Sequence, residues 1–455
     1  MQRLLFPVIW CIFLFPVSGF CLDYYVNGAT GSDSATCGQL PTDPCKTIKQ
    51  ALNNIPDGEV TIKIARGTYE EEYLFISTSG SVTKNIVLEG GWDMYFAKHI
   101  CNFSGTKIVS VYYNDQFRHN LFNVFASESN ILTTTIKCMQ LFQKYPGDVV
   151  RAIDVTSKSN ARVRINIDTL KINGFSESDS VISLLTENGG HIDVTIMNSC
   201  MDNNYESLIK SAALDSIDDI NMTMIDNLIT NNGDLSKDSI CITLYSREGG
   251  SIHSNLINNI IADNLSKYDD AVLFVYSGNS SSISVSLTND TITNNKSMND
   301  GGVVRIVAND SGKANITMTN SILKKNGDKD IVFQQGTLGD FYDGTITFVA
   351  DHCMLGNHDI IFGPPDFSST NEVDGDPALD PSYHLTSGSP AKDAGICGYL
   401  TGGGPYQYHR IAPYDDIDGD KRPGWGKLMG CDVGADEYRF PWILFNPATR
   451  GTRRP

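Results

Sequence analysis

Between Asp193 and Asn357 the chain writes nearly the same segment five times, about once every thirty residues, and self-similarity at that period constrains it to stack copy upon copy. Three copies align without a gap: Ile252 to Asn264, Ile283 to Asn295 and Ala314 to Asn326. Their shared landmark is Asn258, Asn289 and Asn320. The same frame reaches back to Asp226 and Asn198, so that successive landmarks from Asn198 are 28, 32, 31 and 31 residues apart. A further copy, Ile346 to Asn357, fits with a one-residue slip.

Each unit holds two strand-like runs. The first is typified by Ile240 to Tyr245, Val272 to Tyr276 and Val303 to Val307, and a turn rich in Gly, Asn, Ser and Asp follows it. The second alternates: Ile283, Val285 and Leu287 on one face, Ser284 and Ser286 on the other, which means one face buried and one in water. After the landmark comes an apolar residue (Met201, Ile229, Ile261, Ile292) and a polar loop. A single unit cannot bury its apolar stripe, whereas copies stacked about 4.8 Å apart form parallel sheets around one continuous core. Asparagine at the same bend of successive coils is then expected to run an amide ladder. Leucine-rich and armadillo-type solenoids need Leu-dense or helical repeats, and neither pattern is present.

The chain has 455 residues, of which 41% are hydrophobic and 19% charged, so it is globular in composition, and an array that adds one layer per repeat absorbs that length as one body. Its net charge of −18 excludes nucleic acid and anionic membrane surfaces as partners, since few counterions would be released on contact. Met1 and Arg3 precede an apolar run from Leu4 to Val17, and Val17–Ser18–Gly19 supplies small residues for cleavage. Residues 1–21 therefore read as a secretory signal peptide, too short to span a membrane comfortably, and the mature chain is expected outside the cytoplasm with no transmembrane segment. In an oxidising compartment Cys37 and Cys45 could close one loop and Cys397 and Cys431 another, or these thiols could stay free. Cys200 and Cys353, inside repeats, read as small apolar core residues.

Before the array, Thr47 to Gln50 has the form of a capping box, and Ile48, Ala51, Leu52 and Ile55 recur at helical spacing before Pro56. This predicts one short helix covering the exposed end of the sheets. The N-terminal cap and first coils are placed at 22–119, the repeats of about 31 residues at 120–365, a C-terminal closing region at 366–438 and a tail at 439–455.

Several stretches outside the array resemble a known family. Tyr24 to Gly28, Pro44 to Ile48 and Ala65 to Tyr69 resemble the opening and helix cap of right-handed parallel β-helix proteins of the pectate-lyase-like superfamily. Glu89 to Asp93 looks like an early coil of the same group. The close is the most specific: Asp376–Pro377, Tyr383 to Leu385, Ser389 to Gly395, Asp416 to Asp420, Arg422–Pro423 and Asp432 to Tyr438 resemble secreted bacterial proteins that carry the choice-of-anchor Q region. The resemblance implies an all-β, single-stranded, right-handed parallel β-helix with an N-terminal capping helix and an irregular closing region. It also brings the precedent of enzymes that cleave acidic polysaccharides.

Such lyases place Asp or Glu around Ca²⁺ and a basic residue beside the substrate carboxylate, on outward positions of neighbouring coils. The outward positions of the alternating run are Arg164 and Asn166, Asp193 and Thr195, Asn221 and Thr223, His253 and Asn255, Ser284 and Ser286, and Asn315 and Thr317. That face reads as polar and almost uncharged, with isolated Arg164, Asp193 and His253, and Arg305 points outward from the other run. These four are the candidate ligand-binding residues. Asp215, Asp218, Asp219, Asp269 and Asp270 lie in nearby turns. The expectation is a secreted or surface-exposed, non-catalytic protein that binds extracellular polysaccharide or a surface partner; the alternative is a polysaccharide lyase or glycoside hydrolase acting on an acidic polysaccharide. Asp416, Asp418 and Asp420 around Gly419 look like the start of a calcium loop without its distal Glu, so calcium is the candidate cofactor and a plain structural turn the competing reading. Sequons such as those at Asn102, Asn221, Asn264, Asn289, Asn295 and Asn315 are what chance allows in so Asn-rich a chain.

Overall fold

The structure is a computed structural model describing residues 22–78, 83–111, 119–145, 150–176, 179–234, 239–267, 272–297, 302–336, 343–401, 407–423 and 430–438. The expected leader and tail lie outside these residues. The chain winds into an all-β parallel solenoid. One sheet gains a strand per coil, through Arg162–Asn173, His191–Met197, Asp219–Ile225, Ser251–Ile257, Ser282–Thr288, Lys313–Thr319 and Thr345–Asp351, every neighbour parallel and in register. A second, 10-stranded parallel sheet faces it, running from Leu74–Ser77 to His358–Phe362. A third, narrow ribbon of two- and three-residue strands, among them Leu228–Thr230, Ile260–Ala262 and Thr291–Thr293, follows the landmark bend. Parallel stacking already begins at Leu22–Val26 against Glu59–Ala65, so the segment before residue 120 is part of the solenoid.

The alternation read from the sequence matches what is buried. Ile283, Val285 and Leu287 point into the core while Ser284 and Ser286 stay half-exposed. Each buried aliphatic side chain contributes about 1.5–3 kcal/mol by leaving water, and stacking makes that burial possible. The only helix among the described residues, Ile48–Asn54, sits over the first coils. Its N-cap Thr47 accepts the Gln50 amide at 3.1 Å, and the buried Glu71 carboxylate accepts the Ile48 amide at 2.6 Å. Cys37–Cys45 and Cys397–Cys431 are disulfides as expected, and a third, Cys101–Cys138, joins neighbouring coils. None of the described helices is long and apolar enough to cross a membrane.

The landmark residues run the expected ladder in part, Asn258 Nδ2 donating to Asp226 Oδ1 at 3.1 Å and Asn320 Nδ2 to Asn289 Oδ1 at 3.4 Å, and they have a second job. Asn198, Asp226, Asn258, Asn289 and Asn320 all adopt φ between 51° and 57°, the left-handed conformation that Asn and Asp tolerate best among non-glycine residues. They turn the corner. The residue after each one points inward and carries a further, buried ladder: the backbone and side-chain N–H groups of Asn227 both donate to Asn259 Oδ1, at 3.1 and 2.9 Å, and those of Asn259 to Asp290 Oδ1, at 2.8 and 2.9 Å. Cys353 extends this column, accepting the Ser321 amide on Sγ, so it has a polar role beyond core filling, and Cys200 is only half-buried. A second column, Asn204, Asn232, Asn264, Asn295 and Asn326, repeats the arrangement behind another row of left-handed corners that includes Asn231, Asp263 and Asn294. Asn264, Asn289 and Asn295 are buried with their amides engaged, which closes those sequons to modification in the folded chain.

The corner asparagines also dock the closing region. Asn258 Nδ2 donates to the Asp415 carbonyl at 2.7 Å, Asn289 Nδ2 to the Asp432 carbonyl at 3.1 Å, and Asn320 exchanges two bonds with Ile396 at 2.7 and 2.8 Å. Leu385, Ala391 and Val433 pack on Ile322 and Met354, and Ala435 packs on Ile260 and Ala262. The closing region thus lies along the flank of the solenoid. The buried Arg422 holds it together, donating to the Asp432 and Gly434 carbonyls and pairing with Glu437 at 3.4 Å.

Candidate functional site

Register across the first sheet decides which outward side chains meet. Arg162 lies beside His191, which lies beside Asp219, and two residues further along each strand the order is Arg164, Asp193, Asn221, His253, Ser284. Parallel pairing brings side chains one coil apart into contact, so charges scattered from Arg162 to Asp219 in sequence collect on one patch.

Asp193 is its centre. Its Oδ2 accepts from Arg162 Nε and Nη2 at 2.9 and 2.7 Å and from Arg164 Nε at 3.3 Å. Its Oδ1 meets His191 Nε2 at 2.8 Å and accepts from Asn221 Nδ2 at 3.2 Å. The other ring nitrogen of His191, Nδ1, is 2.9 Å from Asp219 Oδ2, and Asp219 Oδ1 accepts the Ser251 hydroxyl at 2.8 Å. His253 continues the row through a 2.7 Å bond between Nδ1 and Ser284 Oγ. Arg164 and Asp193, expected to be isolated, are therefore in contact, and they are joined by Arg162, His191 and Asp219. The sequence pattern left out Arg162 and His191 and put Asp219 in a turn, whereas Asp219 opens the strand Asp219–Ile225 and residues 162, 191 and 219 share the outward parity of 164, 193 and 221. Arg305 is elsewhere, on the second sheet beside Phe274 and Val332, with Nη2 on Gln334 Oε1 at 2.7 Å.

The pairing fixes the charge states. The Asp219 hydrogen bond, helped by Asp193, raises the His191 pKa above its ordinary 6.5 against the opposing pull of burial and Arg162. Burial disfavours the Asp193 charge, but bonds from Arg162, Asn221 and His191 outweigh it and lower the pKa. His191 does the same for Asp219. Two arginines against two carboxylates balance, so protonation of His191 gives the patch one net positive charge on a chain that is strongly negative overall. Arg164 engages Asp193 through Nε alone among the described residues, so its two terminal nitrogens face the solvent with Arg162 Nη1, and both arginine side chains are more than a third exposed. Around them Thr133, Thr135, Asn166, Thr195, Thr223 and Asn255 line the sheet with uncharged hydrogen-bonding groups.

The other candidates fall in different places. Asp218 is buried and accepts amides of Gly189, Gly190, Leu214 and Asp215, a turn-holding role, and Asp269 and Asp270 lie outside the described residues. In the Asp416 to Asp420 turn, Asp416 is buried: Oδ1 accepts the Asp418 and Asp420 amides at 2.9 and 2.7 Å, and Oδ2 the Glu437 amide at 2.9 Å. Burial raises its pKa to about 7. These bonds give Asp416 a structural task, while the Asp418 side chain turns toward His384 at 2.9 Å.

No protein-family model matches the chain and no curated protein matches it, so the likeness to choice-of-anchor Q proteins stands on the quoted motifs alone. Among solved structures, the crystal structure of pectate lyase Pel9A is similar at a TM-score of 0.34 and 13% sequence identity, over 91% of this chain and 96% of that one. A likeness that distant bears on neither activity nor substrate.

Proposed function

We propose that this chain is an extracellular β-helix protein that binds an acidic polysaccharide, without cleaving it, along the outward face of its first sheet. The observation that carries this reading is the Arg162, Arg164, His191, Asp193 and Asp219 patch, which becomes a net cation on protonation of His191 and is bordered by uncharged Thr and Asn side chains. Free guanidinium N–H groups suit a sugar carboxylate or sulfate, and a planar fork recognises such anions better than a point charge does. Rows of Thr and Asn, one per coil, suit the hydroxyls of successive sugars. Both carboxylates of the patch already accept from Arg, His, Asn or Ser, so a calcium ion would have to displace those donors, and lowered pKa values make Asp193 and Asp219 weak bases. The apolar leader and three disulfides support an oxidising, extracellular setting.

The test is a glycan array with the purified chain, followed by an assay for unsaturated uronate absorbance on whatever binds. Binding to polyuronates or sulfated glycans over neutral ones is expected, weakened at least about tenfold by an Arg162→Ala/Arg164→Ala double substitution, with no unsaturated product. One observation favours the lyase alternative: arginines and carboxylates do meet on adjoining coils. Product release that disappears with the same double substitution would replace the binding reading by that one.

A further inference from the structure

The closing region gathers a second constellation, remote from the sheet face and made of different donors. His384 follows a turn begun by Asp380, Asp418 sits at the tip of the Asp416 to Asp420 turn, and Asp436 precedes Glu437. Each offers one ligand atom, and the three atoms lie within 4.8 Å of one another. His384 Nε2 is 2.9 Å from Asp418 Oδ2. Asp436 is only 7% exposed, and a single hydrogen bond reaches its carboxylate, from the Leu385 amide to Oδ2 at 2.8 Å. Its second oxygen has no hydrogen-bond donor among the described residues.

The supports are those of a built site. Leu385 N–H orients Asp436. The Asp418 backbone is fixed by its amide bond to Asp416 Oδ1 at 2.9 Å. The far nitrogen of the imidazole, Nδ1, faces Asp380 Oδ1 at 3.6 Å, and Asp380 is itself held by the Ser382 and His384 amides at 2.8 and 3.0 Å. A carboxylate behind a histidine whose other nitrogen points at further donors is the usual outer shell of a metal-bound imidazole.

We propose that His384, Asp418 and Asp436 bind a divalent transition-metal ion of the zinc type. One nitrogen and two carboxylate oxygens match that class, whereas calcium and magnesium take oxygen donors almost alone. Zinc wants donors about 3.3 Å apart, a spacing bracketed by the 2.9 Å between His384 and Asp418 and the 4.8 Å that bounds all three atoms, and water fills the open position. The ion takes the place of the proton between His384 and Asp418 and offsets the charge of Asp436. It links three segments of the closing region that are also joined by the bonds of the Leu385 amide to Asp436 and of the Glu437 amide to Asp416. The calcium-like pattern at Asp416 to Asp420 thus contributes one ligand, Asp418, to a site of different composition, since Asp416 is occupied by amides.

The test uses the whole purified chain, stripped with a chelator and dialysed, and titrated with zinc against a chromophoric competitor. One zinc per chain and a higher melting temperature with zinc are expected, and Asp418→Asn and His384→Gln should each weaken binding at least about tenfold with the circular dichroism spectrum unchanged. His191→Gln, on the sheet face, should leave zinc binding unaltered. Absence of zinc binding to the folded chain, binding that survives both closing-region substitutions, or calcium binding in preference to zinc would each overturn the proposal.

Discussion

Asp290 interrupts an amide column with an acid, and replacing it by Asn should stabilise the protein in a pH-dependent way. The side chain is fully buried. Oδ1 accepts both N–H groups of Asn259 and Oδ2 the Thr288 amide at 3.1 Å, yet no cation neutralises it among the described residues, and burial raises its pKa from 3.8 to about 7. An acid whose folded pKa lies above its unfolded one contributes stability that is complete below the unfolded value and lost as pH rises through the folded value. Between pH 3.8 and about 7 the wild type therefore loses about 1.4 kcal/mol per pH unit relative to the variant, levelling at a ceiling on the order of 4 kcal/mol. Asn at 290 keeps the Oδ1 acceptor for Asn259, gives up the Oδ2 acceptor of the Thr288 amide and adds an N–H donor; in the same column, Asn227 and Asn259 donate to the Ile196 and Met224 carbonyls. Urea unfolding followed by fluorescence at pH 5 and pH 8 reads the difference: Asp290→Asn should shift the midpoint upward at pH 8 and much less at pH 5. A variant no more stable than wild type at pH 8 would refute the reasoning, because the carboxylate would then be worth more in the column than its desolvation costs.

Other outcomes follow from the same structure. Asn264→Ala strips the acceptor from two buried N–H groups of Asn232, bonded at 3.0 and 2.9 Å, and at about 1–3 kcal/mol for each orphaned donor should cost roughly 2–6 kcal/mol in urea unfolding. Replacing Cys101 and Cys138 by Ala opens a loop of 37 residues and should cost about 4 kcal/mol under oxidising conditions, a difference that shrinks when both proteins are reduced. Anionic glycan binding should fall as pH rises through the raised pKa of His191, whose charge is set by the facing Asp193, Asp219 and Arg162; in His191→Gln, binding measured by calorimetry across pH 6 to 9 should be flatter.

The architecture was largely open to reading because stacking leaves a periodic imprint: inward Ile, Val and Leu at alternate positions, and a corner every thirty residues or so. The meaning of the corner was harder. Asn258 and Asn289 repeat because L-residues other than Asn and Asp resist the left-handed conformation and because corner side chains bond from coil to coil, while a second, buried ladder belongs to their neighbours Asn259 and Asp290, and all of these predict the same periodic Asn. The sheet-face patch stayed hidden because it depends on register. Arg162, His191 and Asp219 are 29 and 28 residues apart, off the 31-residue spacing of the best-aligned copies, and only strand pairing shows that they touch. Cys101 to Cys138 has no distinctive spacing. Asp416, Arg422, Asp432 and Glu437 were legible as motifs, but that they form one buried network pinned to corners more than a hundred residues earlier required the folded chain.

That flank attachment changes how the solenoid comes apart. A stack held only by nearest neighbours frays from its ends, each outer coil opening at a fraction of the global cost. Here one strap is laid across the coils of Asn258, Asn289 and Asn320, with Lys325 paired to Asp376 at 2.6 Å as a further rivet. These layers cannot open one at a time without tearing the strap away. The C-terminal half should therefore exchange its amide hydrogens as a single block, leaving the coils before residue 226 to loosen stepwise.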